Sequence, residues 1–133
     1  MATDGAQDLP ELYDAVPYDY AASAPPGSLL FTAGACPLDA EGHVVGVGDH
    51  HEQAVASLRN LLAVLDRHGA GPADLVRTTI YVVGEHTDLV AGWNVVAAGR
   101  DPHRPPSTLL GVTTLGYRDQ LVEIDGIAAV PRR

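Results

Sequence analysis

Two segments constrain the fold of this chain more than any others: Leu75–Val83 (LVRTTIYVV) and residues 121–130 (LVEIDGIAAV). Both are rich in β-branched and apolar residues, and a strand turns successive side chains to opposite faces. In the second, Val122, Ile124, Ala128 and Val130 share one face with Gly126. Leu121, Glu123, Asp125, Ile127 and Ala129 take the other. Neither face has the clean polar character that an antiparallel sheet turns to water. Such a sheet needs cover on both sides.

The rest of the chain offers cover for one side only. Asp49 is placed to cap a helix, with Glu52 at capping-box spacing. Ala54, Leu58, Leu61, Leu62 and Leu65 then recur at helical intervals until Gly69 and Gly71-Pro72 stop the pattern. A second helix is predicted over residues 86–98, with Leu89, Val90, Trp93, Val96 and Ala97 inward. Residues 28–35, after Pro25-Pro26-Gly27, and residues 107–113 read as strands, and 43–47 as a short one. Pro102, Pro105 and Pro106 bar helix between them. Residues 1–15 have no periodicity and read as a loose leader; residues 16–131 form one domain. The expected class is α+β, with two helices on one face of a sheet. An apolar face left bare over a few hundred Å² is unusual for a soluble monomer. Further copies of the same chain are therefore expected to cover it, in closed symmetry.

Composition removes whole classes of function. The 133 residues carry 17 acidic and 8 basic side chains, a net charge of −9, and every basic residue is an arginine. Without lysine there is no Schiff-base chemistry and no covalently held pyridoxal phosphate. A net negative field argues against nucleic acid as a partner. The single cysteine, Cys36, excludes an internal disulfide and a cysteine-based zinc knuckle. No apolar run approaches the roughly 20 residues of a membrane helix, and no signal peptide is evident, so no membrane partner and a cytoplasmic location are expected. His50-His51-Glu52 invites a metal reading, but adjacent helical residues diverge around the axis and cannot easily share one ion. No metal is expected there. Cys36 reads as an inert small residue.

Several stretches, in order, resemble the Rid family, the YjgF-like reactive-intermediate deaminases. They are Pro17-Tyr18, LLFTAGACPLD at 29–39, GDHHEQAVASLRNLLAVLDRHGA at 48–70, ADLVRTTIYVV at 73–83, Trp93-Asn94, RPPSTLLGV at 104–112 and LVEIDGIAAV at 121–130. The resemblance spans about residues 16–131. It implies a chorismate-mutase-like fold in a homotrimer with a barrel-like core and intersubunit clefts. It also implies cofactor-free hydrolysis of small enamines and imines there. By the same resemblance, Glu123 is the carboxylate that positions the attacking water and Tyr18 the cleft tyrosine. Ala33 and Gly34 mark the strand end whose backbone approaches the ligand.

One departure changes the expected substrate. The family's deaminases carry an arginine just after the Arg-Pro-x stretch, where it clamps the substrate carboxylate in a bidentate pair. Aligned on Arg104-Pro105-Pro106, that position is Ser107, and the position two residues on, often cysteine, is Leu109. Ser107 and Thr108 offer hydroxyls in place of the clamp. The sequence thus reads first as a Rid-type hydrolase of a small C–N electrophile other than a minimal 2-imino acid such as 2-aminoacrylate. The alternatives are a non-catalytic trimeric binder of metabolites or protein and, last, an endoribonuclease.

Overall fold

The computed structural model describes residue 15, residues 27–100 and residues 102–131. Four strands and two helices follow in the order β1 (Ser28–Phe31), α1 (His50–Arg67), a 3₁₀ turn (Pro72–Asp74), β2 (Leu75–Val83), α2 (His86–Arg100), β3 (Ser107–Val112) and β4 (Val122–Val130). The sheet order is β1-β4-β2-β3, with β4 antiparallel to both its neighbours and β2 parallel to β3. The parallel pair needs a crossover, and α2 supplies it. Helix α1 lies over β4 and α2 over β2 and β3, so both helices cover one face of a mixed sheet.

Helix α1 is held at both ends by local chemistry. Asp49 Oδ1 accepts from the Glu52 amide at 3.0 Å. The expected reciprocal half of the capping box is absent, because the Asp49 amide already donates to the Gly46 carbonyl at 2.8 Å. At the other end Gly69 adopts a positive φ of 77°. Its amide reaches the Asp66 carbonyl and that of Ala70 reaches Leu65, the two bonds of a Schellman motif. Between these caps Ala54, Leu58, Leu61 and Leu65 are buried. Against them lie Ile80 and Val82 of β2, Val122, Ile124 and Ala128 of β4, and Val96 of α2.

Three expectations shift. Helix α2 runs on to Arg100, and its inward line is Gly92, Val96 and Arg100 with Leu89 and Trp93 alongside; Val90 is exposed. Glycines permit the close approach: a Cβ on Gly99 would stand 2.1 Å from Leu58 Cδ2. The strand expected at 43–47 shrinks to a single bridge between Leu38 and Val44, since Gly42, Gly46 and Gly48 all take positive φ and break the pleat. The first strand ends at Phe31 and, after a last bond to β4 at Thr32, rejoins it at Ala35.

The uncovered face is mixed rather than uniformly apolar. One flank carries Leu29 and Phe31 opposite Ala129 and Ile127, with Phe31 67 % exposed. The centre carries Arg77, Thr79 and Tyr81 beside Asp125 and Glu123. Paired polar groups make this possible: Arg77 Nη2 donates to Thr108 Oγ1 at 2.7 Å, and Tyr81 Oη donates to Asp125 Oδ2 at 2.9 Å. No described helix is long and apolar enough to cross a membrane.

Candidate functional site

The site begins as a defect in the β1–β4 pairing. Thr32 bonds Gly126 and Ala35 bonds Ile124, so three steps on the first strand face two on β4. The surplus falls at Ala33-Gly34, a bulge that lifts this backbone away from the ladder. Beneath it Glu123 projects from β4. A Cβ built on Gly34 would lie 2.1 Å from Glu123 Oε2 and 2.8 Å from its Cγ, so only glycine leaves room for the carboxylate.

Two donors fix the other carboxylate oxygen. Cys36 Sγ donates to Glu123 Oε1 at 3.4 Å, and Gln120 Nε2 donates to the same atom at 3.2 Å. Gln120 is 4 % exposed. It is itself held, its Nε2 donating to the Val122 carbonyl and its Oε1 accepting from the Tyr117 amide. Asn60 of α1 donates to the carbonyls of Cys36 and Leu38, which anchors the cysteine segment to the helix layer. Burial first, and then the charge of Glu123 and the bond to it, hold the Cys36 thiol above its ordinary pKa; the bond to Gln120 opposes them. The sulfur is therefore a neutral hydrogen-bond donor at pH 7.

Gln120 and the role of Cys36 escape sequence reading for a geometric reason. Residues three apart on a strand point to opposite faces, so Gln120 and Glu123 carry no pairing signal. The positive φ of 66° at Asp119 reverses the chain just before β4 and brings the carboxamide round. The same loop walls a groove of about 500 Å³, lined by Val83 and residues 114–121, that adjoins the cluster through Gln120.

The other expected residues are distributed differently. Tyr18 lies outside the described residues. Ser107 and Thr108 occupy opposite faces of β3, so they do not line one pocket together. Thr108 is outward, bonded to Arg77. Ser107 is inward, where its hydroxyl bonds Thr78 Oγ1, the Pro105 carbonyl and Arg100 Nη1. Arg100, 2 % exposed, also donates to Thr78 Oγ1 at 2.9 Å and lies 5.2 Å over the Trp93 ring. Burial alone lowers its pKa. Nothing in the pattern of α2 announced this arginine, because a single basic residue at a helix end reads as a solvated dipole partner. Among the described residues no group of histidine, cysteine, aspartate and glutamate is arranged to hold a metal ion.

Tyr81 gives a measurable signature of the outer face. The bond to Asp125, then burial, raise its pKa above the ordinary 10.0. The stabilisation from that phenol is complete below the ordinary value and is lost as pH rises through the raised one. In an alkaline absorbance titration Tyr81, identified by its absence in Tyr81→Phe, is expected to ionise above the ordinary tyrosine value. Asp125→Asn should bring it back down; an unmoved midpoint would contradict the pairing.

Known proteins place this geometry. Residues 11–130 match the family described as Endoribonuclease L-PSP. A RutC family protein of Synechocystis sp. is 33 % identical over 116 residues, covering 86 % of this chain and 87 % of the relative. The structure of YyfB from Yersinia pestis, described as a protein of unknown function of the conserved Rid family, superposes with a TM-score of 0.80 at 31 % identity. The match covers 89 % of this chain and 92 % of that one. Escherichia coli TdcF with bound serine matches with a TM-score of 0.69 at 26 % identity, over 86 % and 88 % of the two chains. With the family match spanning nearly the whole sequence and the same fold beneath it, this chain belongs to the Endoribonuclease L-PSP family, the Rid/YjgF-like proteins.

Proposed function

We propose that this protein is a cofactor-free cytoplasmic hydrolase of small imines, enamines or related C–N electrophiles, acting in clefts between the subunits of a homotrimer. The observation that carries the reading is the Glu123 carboxylate, held through Oε1 while Oε2, close against the Gly34 bulge, takes no hydrogen bond from the described residues. In the reaction Glu123 takes a proton from water as the water oxygen bonds the C=N carbon. The proton is then returned to nitrogen, and the resulting carbinolamine collapses to a carbonyl compound and ammonia. Ala33 and Gly34 meet the substrate through their backbone, Thr108 offers a hydroxyl from the outer face, and Tyr18 closes the cleft. The apolar flank of Leu29, Phe31 and Ile127 supports a second copy seated on this face. The serine bound in TdcF supports a ligand of amino-acid size.

The substrate differs from a simple 2-imino acid. Ser107 stands at the carboxylate-clamp position and is turned into the helix layer against Arg100. Ser107→Arg would set a second guanidinium against the first, so the gain of 2-aminoacrylate hydrolysis is best sought with Arg100→Met in the same chain. The missing clamp equally favours a second reading, a trimeric metabolite binder without turnover. The net charge of −9 weighs against RNA cleavage.

The test is hydrolysis of enzymatically generated imines, followed by loss of semicarbazide-trappable product. Glu123→Gln is expected to slow it by about 10²- to 10⁴-fold, the usual contribution of a positioned proton acceptor. A wild-type rate no faster than buffer, or a Glu123→Gln rate equal to wild type, would remove the enzyme reading.

A further inference from the structure

Glu123 is not gripped symmetrically. Both of its hydrogen bonds from Cys36 and Gln120 arrive at Oε1, while Oε2 stands over the backbone of Gly34. We propose that Cys36 and Gln120 are positioning residues that tether Oε1, so that Oε2 is the oxygen that takes the proton from water. The proposal rests on the reading of Glu123 as the proton acceptor given above.

Three features of the chain support a built arrangement. The thiol is held in place from behind, because Asn60 Nδ2 donates to the Cys36 carbonyl at 2.8 Å and the sulfur also approaches the Gly34 carbonyl at 3.6 Å. Gln120 has its carboxamide fully engaged although it is almost completely buried, so its orientation is set: the oxygen faces the Tyr117 amide and the nitrogen faces Val122 and Glu123. A buried amide fixed by its own acceptor and donor bonds cannot flip without leaving groups unsatisfied. The two tethers also come from different places, one from the bulge after β1 and one from the turn before β4. Together they fix the carboxylate from both sides, as preorganised catalytic groups require. Gln120 further links Glu123 to the groove walled by residues 114–121.

The first measurement needs no turnover. Thiolate absorbance is followed against pH in the full-length protein. Glu123→Gln is expected to move the Cys36 midpoint down toward that of an ordinary thiol, and Gln120→Met to move it up, opposite directions that follow from the two partners. Two unmoved midpoints would overturn the tether. The second measurement is imine hydrolysis. Cys36→Ala and Gln120→Met are each expected to lower kcat about tenfold with KM unchanged, the mark of an interaction made in the transition state. Cys36→Ser, which keeps a donor, is expected to recover most of the loss. Wild-type kcat in both Cys36→Ala and Gln120→Met, in a protein that Glu123→Gln still inactivates, would overturn the positioning role and spare the reading of Glu123. Full activity in Glu123→Gln would instead overturn that reading.

Discussion

Gly34→Ala is expected to cost about 100-fold or more in imine hydrolysis while the protein still folds. The added methyl would fall 2.1 Å from Glu123 Oε2, 2.4 Å from Cδ and 2.8 Å from Cγ, so the whole carboxylate must swing away. In leaving, it gives up the bonds from Cys36 and Gln120. A long, partly exposed side chain can make that move, which limits the stability cost to about 1–3 kcal/mol, the range for overpacking a fitted site. Catalysis has no such latitude, because a proton acceptor displaced by an ångström or more no longer meets its water. A double-mutant cycle separates the two effects. With Glu123→Ala the methyl at position 34 has room, so the double variant should melt above Gly34→Ala yet stay inactive. If the single variant instead turns over at the wild-type rate, the carboxylate over Gly34 has no part in the chemistry.

The largest effect on stability is expected at Arg100. Arg100→Ala should lower stability by about 2–4 kcal/mol, read as a fall in the urea midpoint at constant m-value. The side chain is buried, stacks over Trp93 and joins Ser107 at the start of β3 to Thr78 in β2. It thereby fastens the last turn of α2 to the edge strand that follows it. The loss combines stem packing, the cation–π contact and two hydroxyls that keep only each other and the Pro105 carbonyl. The charge itself is a liability in this place: burial alone depresses its pKa, and its Nε has no hydrogen-bond partner among the described residues. Arg100→Met, which keeps the stem and drops the charge, is therefore expected within about 1 kcal/mol of wild type. Equal losses in both variants would show that the charge-assisted bonds to Thr78 and Ser107, not the stem, hold this corner.

At the start of β3 the Arg100 guanidinium is turned into the core against Ser107. The carboxylate end of the site combines the glycine at position 34 with bonds from Cys36 and Gln120.

Much of the scaffold was legible in the residues themselves. Leu75–Val83 and the apolar stripe of α1 have periods that only one kind of element can satisfy, and Asp49 and Gly69 mark ends through backbone chemistry that is local. Alternation along β4 likewise set Glu123 apart from Ile124 on opposite faces, and the absence of lysine excluded a class of covalent chemistry. What period and local chemistry could not supply was the joining of distant segments. Cys36 meets Glu123 across 87 positions, and Gln120 reaches it only because Asp119 reverses the chain. The buried place of Arg100, the inward turn of Ser107 and the polar centre of the outer face were likewise decided by the tertiary structure. In each case a polar side chain found its partner on another element, and such pairings have no period for a sequence to reveal.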